Sequence, residues 1–184
     1  ANAPPQNYDK PWRISHTYAA GYRDRRIREL LQQKEKLEPS DFATIQQDVY
    51  SKRVEIFQSL LEGFEPKTKE ESKLKELITG WDRTLSKDSS SAAAYSVFRH
   101  YLWQAMLSDE LGSVWPEYVF AFQQSDNPFD VLVQDRDCPF WDDVSTPDVE
   151  SWQEIVARAL DEAWDELSSK LGRNPKRWAW GIIH

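Results

Sequence analysis

Ser40–Pro66 reads SDFATIQQDVYSKRVEIFQSLLEGFEP, and its pattern of apolar residues points to an all-helical fold. Phe42, Ile45, Val49, Ile56, Leu60 and Phe64 form one stripe at helical spacing. Ser40 is a good N-cap, and Asp41 places negative charge in the first turn, where the helix dipole favours it. Gly63 and Pro66 supply the stop. The stretch therefore predicts a single long helix opening at Ser40.

The same reading extends in both directions. Downstream, Thr68 and Glu71 have capping-box spacing and open a short helix carrying Leu74, Leu77 and Ile78. The Ser-rich run 87–91 is a loop feeding a helix from Ala92 to about Leu111, with Tyr95, Phe98, Leu102 and Met106 spaced for core contact. A further short helix is expected over 114–122. Residues 125–145, rich in Asp and Pro, read as mainly loop. The last helix is expected to start at Thr146, with Pro147 in its first turn, and to stop at Gly172. Upstream, Trp12 to about Lys34 is helical in pattern, weakened in the middle by Gly21. Strand-like alternation is nearly absent. The expectation is a mainly α chain, one helical domain over 1–184, with 1–11 and 173–184 as flanking loop or strand tails.

Composition narrows the partners. The 184 residues are 40% hydrophobic and 29% charged, which is globular rather than disordered composition. A net charge of -8 argues against nucleic acid or an anionic membrane face, both of which select a basic patch. Cys138 is the single cysteine, which excludes an intrachain disulfide and a cysteine zinc site. No apolar run approaches a membrane span, and no signal peptide is visible. Both ends read as boundaries cut or processed out of a longer gene product.

Three blocks, in order, resemble the penicillin acylase family of N-terminal-nucleophile amidohydrolases. The first is Ala1-Asn2-Ala3-Pro4-Pro5 with Tyr8, followed by Tyr22-Arg23-Asp24-Arg25-Arg26-Ile27-Arg28-Glu29-Leu30-Leu31. It is similar to the family's Asn-containing loop and the arginine-bearing helix after it. The second is Leu37 to Ser51, with an Asp48-Val49 pair, followed by Leu77-Ile78-Thr79-Gly80-Trp81-Asp82. The third is Trp178-Ala179-Trp180-Gly181-Ile182-Ile183-His184, which resembles a strand after the family's last helix. The resemblance implies a helical insertion segment of a four-layer αββα hydrolase, from the nucleophile-bearing β subunit. It implies cleavage of an N-acyl amide bond of the β-lactam side-chain or N-acyl-homoserine lactone type. It also implies an autoprocessed precursor, periplasmic or secreted, whose remaining parts (the α subunit and the sandwich part of the β subunit) are this segment's partners.

In that chemistry an N-terminal Ser attacks the amide carbonyl while its own α-amine acts as base. The oxyanion needs fixed donors, and losing one costs on the order of 3 kcal/mol. Asn2 lies where the family has its oxyanion Asn, whose NH2 donates without carrying charge; as a bare residue before Ala-Pro-Pro it is equally a turn former. Arg23 matches an orienting Arg, and is otherwise a solvated residue on a basic helix face. Residue 1 is Ala, not Ser, so these residues alone are expected to be inactive. No cofactor is expected. Some relatives bind calcium through an Asp about eleven residues after the oxyanion Asn, where this sequence has Trp12 and Arg13, so that ligand is not matched.

Other constellations stay open. His16, His100 and His184 are too scattered for a zinc triad, and His100 reads as a packed or capped helix residue. Asp135, Asp137, Asp142 and Asp143 suggest either a solvated loop or a calcium or hydrolase carboxylate cluster. Trp81, Trp103 and Trp115 suit core packing or an acyl pocket. An autonomous helical interaction domain without activity is the alternative to an amidohydrolase segment.

Overall fold

The computed structural model describes residues 20–121 and 126–183, with side chains over 20–120 and 128–183. Asn2, Trp12, Arg13, His16 and His184 lie outside the described residues. The chain divides into two compact units, 1–52 and 53–184, each described by itself. Among the described residues the fold is helical and contains no strand.

The first unit holds α1 (Tyr22–Gln32) and α2 (Pro39–Gln46). Gly21, expected in mid-helix, instead stands at the start of α1 with φ +74°, a conformation that costs glycine little and other residues more. Neither helix buries a side chain. α2 opens two residues earlier than expected: Glu38, not Ser40, is the cap, and its backbone N–H donates to the Asp41 carboxylate at 2.9 Å. Pro39 follows at the first helical position, where its missing N–H costs nothing.

The long helix expected from Ser40 to Gly63 is two helices. α2 ends at Gln46 and α3 runs Val54–Glu62 in the second unit. The apolar stripe misled because its first half finds no core: Phe42 and Val49 remain exposed. Asp48, between the helices, bonds instead to Arg26 of α1. Local propensity yields to these tertiary contacts.

The second unit continues with α4 (Lys69–Thr79), α5 (Ser90–Leu111), α6 (Trp115–Ala121), α7 (Asp126–Leu132), α8 (Trp152–Leu171) and α9 (Trp180–Ile183). α5 packs chiefly along α8, with α4 against both. Ala92, Ala93, Ala94, Phe98, Leu102 and Met106 of α5 and Val156, Ala159, Leu160, Ala163 and Leu167 of α8 are all buried. Each large side chain so buried contributes about 1.5–3 kcal/mol.

The caps are local and specific. Thr68 Oγ1 accepts from Glu71 N at 3.1 Å, and Ser89 Oγ from Ala92 N at 3.1 Å. The C-terminus of α3 is finished from a distance. Lys75 donates to the Phe64 carbonyl at 2.6 Å, and Arg136 reaches the Leu60 carbonyl at 3.4 Å. Gln153 grips both sides of Phe64: its amide donates to Gly63 O at 3.1 Å and its carbonyl accepts from Glu65 N at 3.2 Å.

Three further expectations are corrected. Residues 125–145 hold more helix than expected: α7 and a 3-10 turn at Pro139–Trp141 bury Phe129, Val133 and Trp141 within otherwise irregular chain. The last long helix starts at Trp152, not Thr146, because Ser151 and Glu154 make the capping box. There Glu154 Oε2 accepts from Ser151 N at 2.8 Å, while Thr146 Oγ1 is spent on Asp148 O. Beyond Gly172 the tail is no strand. A turn at Pro175–Arg177 buries Trp178, and α9 lies on α5, where Gly181 N donates to Lys87 O at 2.7 Å and Trp180 Nε1 to Ser96 Oγ at 3.0 Å.

Candidate active-site segment

α1 is dense in arginine, and the structure gives its arginines different tasks. Arg23 is exposed. Arg25 folds back over the Tyr22 ring, 4.9 Å from its centroid. Arg28 pairs with Asp24 one turn earlier at 2.8 Å. Arg26 leaves the helix surface to clamp another segment. Its Nε donates to Asp48 Oδ2 at 2.9 Å and its Nη2 to Asp48 Oδ1 at 2.8 Å, the parallel two-bond geometry that guanidinium and carboxylate planes favour. The Tyr50 ring covers the same guanidinium at 4.3 Å. The hydrogen bond from Arg26 holds the Asp48 carboxyl below its usual range, against the upward push of burial, and Asp48 raises Arg26 in return. Lys52 with Glu29 at 2.6 Å ties the same two segments again.

This arrangement links two of the sequence blocks: the arginine helix of the first is fastened to the Asp48-Val49 pair of the second. The third orders a separate place, around α5 and α9. There Ser96, Val97, His100, Glu166, Trp180 and Ile183 line a half-open hollow of about 150 Å³. His100 is exposed, packed edge-on against Tyr101 with ring centroids 5.4 Å apart. The Tyr101 hydroxyl donates to Glu166 at 2.6 Å, and that bond pushes its pKa up to about 12. The hollow is too small for an acyl amide, whose sites usually span ~300 Å³ or more.

The remaining candidates have structural partners. Trp81 and Trp103 are buried and Trp115 partly so; Trp81 packs on Tyr95 at 5.6 Å and Trp103 on Trp115 at 5.1 Å. Asp143 takes Arg158 at 2.7 Å and Ser145, and Asp142 accepts from Glu150 N at 3.0 Å, so this loop is knitted to the start of α8. Among the described residues no group of three or more His, Cys, Asp or Glu side chains is placed to hold a metal ion. Trp12 and Arg13 offer no carboxylate for calcium.

Two features escaped the sequence reading. Gln58 is buried and donates to the carbonyls of Ile78 at 2.8 Å and Trp81 at 2.9 Å, while its own oxygen accepts from Arg83 Nε at 2.7 Å. Arg83 holds φ +69°, an uncommon conformation for a residue with a Cβ. Asp130 is buried with Arg53 Nε at 2.9 Å and Arg99 within 3.9 Å. Single polar letters inside apolar stripes are the only trace of either in the sequence.

An arginine-bearing helix is thus fastened to an Asp-Val turn, and a helical unit with a Trp-Gly tail follows it in the chain. The chain is a member of the penicillin amidase family, whose model matches residues 1–184. Within the family it is similar to acyl-homoserine lactone acylase QuiP of Pseudomonas aeruginosa, at 35% identity over 112 residues, covering 58% of this chain and 13% of that protein. The proteins of the same name from Pseudomonas syringae pv. syringae (36% over 112 residues, 58% and 14%) and Pseudomonas fluorescens (34% over 128 residues, 62% and 15%) are also similar. The chain thus spans about 13–15% of the length of these curated relatives.

Proposed function

We propose that these residues are the helical part of the nucleophile-bearing subunit of an acylase that hydrolyses the amide of an N-acyl-homoserine lactone. The observation that carries this reading is the family match along the whole chain, and the relatives' shared name favours that lactone over a β-lactam amide. The match also speaks against an interaction module with accidental likeness. In the proposed enzyme the N-terminal Ser hydroxyl attacks the amide carbon and passes its proton to its own α-amine. Negative charge gathers on the former carbonyl oxygen, and Asn2 donates its side-chain N–H there. Arg23, exposed on α1, orients that Asn or the polar end of the substrate through its fixed fork of donors. The amine then leaves with the proton returned from the terminus, and water releases the acyl group.

The rest of the proposal follows the family. An αββα sandwich from the same autoprocessed precursor surrounds this segment, the enzyme is periplasmic or secreted, and catalysis needs no cofactor. A polypeptide limited to these 184 residues carries alanine at its amino end and no terminal nucleophile, and shows no turnover. The test is lactone-amine release by the full-length protein encoding these residues. Asn2→Ala lowers kcat by about 100–1,000-fold; wild-type kcat in that variant, or turnover by the 184 residues alone, overturns the reading.

A further inference from the structure

We infer that Arg26, Asp48 and Tyr50 form a positioning clamp that fixes α1 and thereby sets where Arg23 is presented. The inference rests on the role proposed for Arg23. Its first support is what α1 lacks. The helix buries no side chain, and it opens from Gly21 without a side-chain cap. Among the described residues, the ties that hold α1 are polar: the clamp, with Lys52 on Glu29 at 2.6 Å beside it. Two parallel hydrogen bonds of 2.9 and 2.8 Å constrain both the position and the plane of the guanidinium, and Tyr50 closes over it at 4.3 Å. Arg26 and Asp48 are only 24% and 20% exposed, so water competes poorly for these bonds.

Arg23 lies one turn before Arg26 on the same helix, about 4.5 Å along the axis and roughly 60° around it. A rotation or slip of α1 that breaks the clamp therefore carries the base of Arg23 with it. The interruption between α2 and α3 is what makes the clamp possible. Asp48 and Tyr50 sit in that non-helical stretch, where both reach Arg26 at once. A lysine at 26 would keep the charge but lose the two-bond plane and most of the stacking.

The experiment uses the full-length protein with an N-acyl-homoserine lactone as substrate, reading kcat and KM separately together with the thermal midpoint. Arg26→Met and Asp48→Asn each lower kcat by ~10–100-fold, the scale set by ångström-sized misplacement of an orienting group, while KM changes by less than about threefold. Arg26→Lys recovers only part of the loss. The decisive comparison is in an Arg23→Ala background, where Arg26→Met adds no further loss because both act through one group. An unchanged kcat in Arg26→Met and Asp48→Asn, or equal losses with and without Arg23, overturns the clamp. If Arg23→Ala itself is silent while Asn2→Ala is not, the clamp falls and the acylase reading stands. If Arg26→Met fails to fold, Asp48→Asn, which preserves size, carries the same comparison.

Discussion

Gln58→Leu is expected to cost the second unit about 2–5 kcal/mol. The substitution keeps the volume of a side chain that is 5% exposed but removes its amide. Trp81 O loses its donor at 2.9 Å, and Ile78 O loses one at 2.8 Å while keeping the Trp81 N–H at 3.4 Å. A third contact, to Thr79 O at 3.4 Å, is too long to count for much. A buried polar group left without a partner costs about 1–3 kcal/mol, which Trp81 O supplies, and the lost bond at Ile78 O adds about 0.5–1.5 kcal/mol. Arg83 Nε also loses its acceptor at 2.7 Å, although Glu55 still holds the other end of that guanidinium at 2.8 Å. Arg83 then retains its left-handed backbone, a conformation costing roughly 1–2 kcal/mol, with less to enforce it. Equilibrium urea unfolding reports the change through the midpoint. Arg83→Ala measures the outer half alone and costs less, about 0.5–1.5 kcal/mol. A Gln58→Leu chain within about 0.5 kcal/mol of wild type would refute the idea that this amide organises the turn between α4 and α5, since even an ordinary hydrogen bond removes that much.

Two further outcomes follow from single contacts. Asp48 has its pKa depressed by Arg26, so its contribution to stability is fully present above the ordinary carboxylate range, near pH 4, and is lost as pH falls through the depressed value; in Asp48→Asn the corresponding part of the acid unfolding limb disappears, which a pH series of thermal midpoints measures. At Gly181 an added Cβ would sit 3.1 Å from Lys87 Cβ and 3.2 Å from Lys87 O. Gly181→Val should therefore lift α9 and break the Gly181 N–H bond to Lys87 O, read as faster hydrogen exchange at residue 181 and faster proteolysis after Lys176 or Arg177; unchanged exchange and cleavage would count against the tight approach.

Local chemistry was legible in the sequence and competition between distant partners was not. Thr68 with Glu71, and the stop at Gly172, depend on neighbours within a turn, and both stand in the structure where their letters put them. The missed break after Gln46 depends on Arg26, some twenty residues earlier, taking Asp48 away from the helix. α7 was hidden because Phe129 and Val133 lie at helical spacing among Asp and Pro residues that read as loop. The start of α8 slipped because Thr146-Pro147 and Ser151-Glu154 are both good openings, and only the second has its reciprocal carboxylate in place. On the site, the basic turn of α1 was evident, but nothing in four nearby arginines marked Arg26 as the one that is clamped.

The capping of α3 by Lys75, Arg136 and Gln153 bears on how this chain is made. Gln153 follows Gly63 by 90 positions. At ~5–20 residues per second, a ribosome needs roughly 5–20 s after α3 emerges before that glutamine exists outside the exit tunnel. For most of that interval the helix end can be served by Lys75 and water, but not by Arg136, and at no point in it by Gln153. The second unit is therefore committed late in synthesis, when α8 arrives to complete a helix made long before it. Slowing translation between residues 66 and 153 should prolong a protease-sensitive nascent state, whereas a pause after α8 has cleared the tunnel should not.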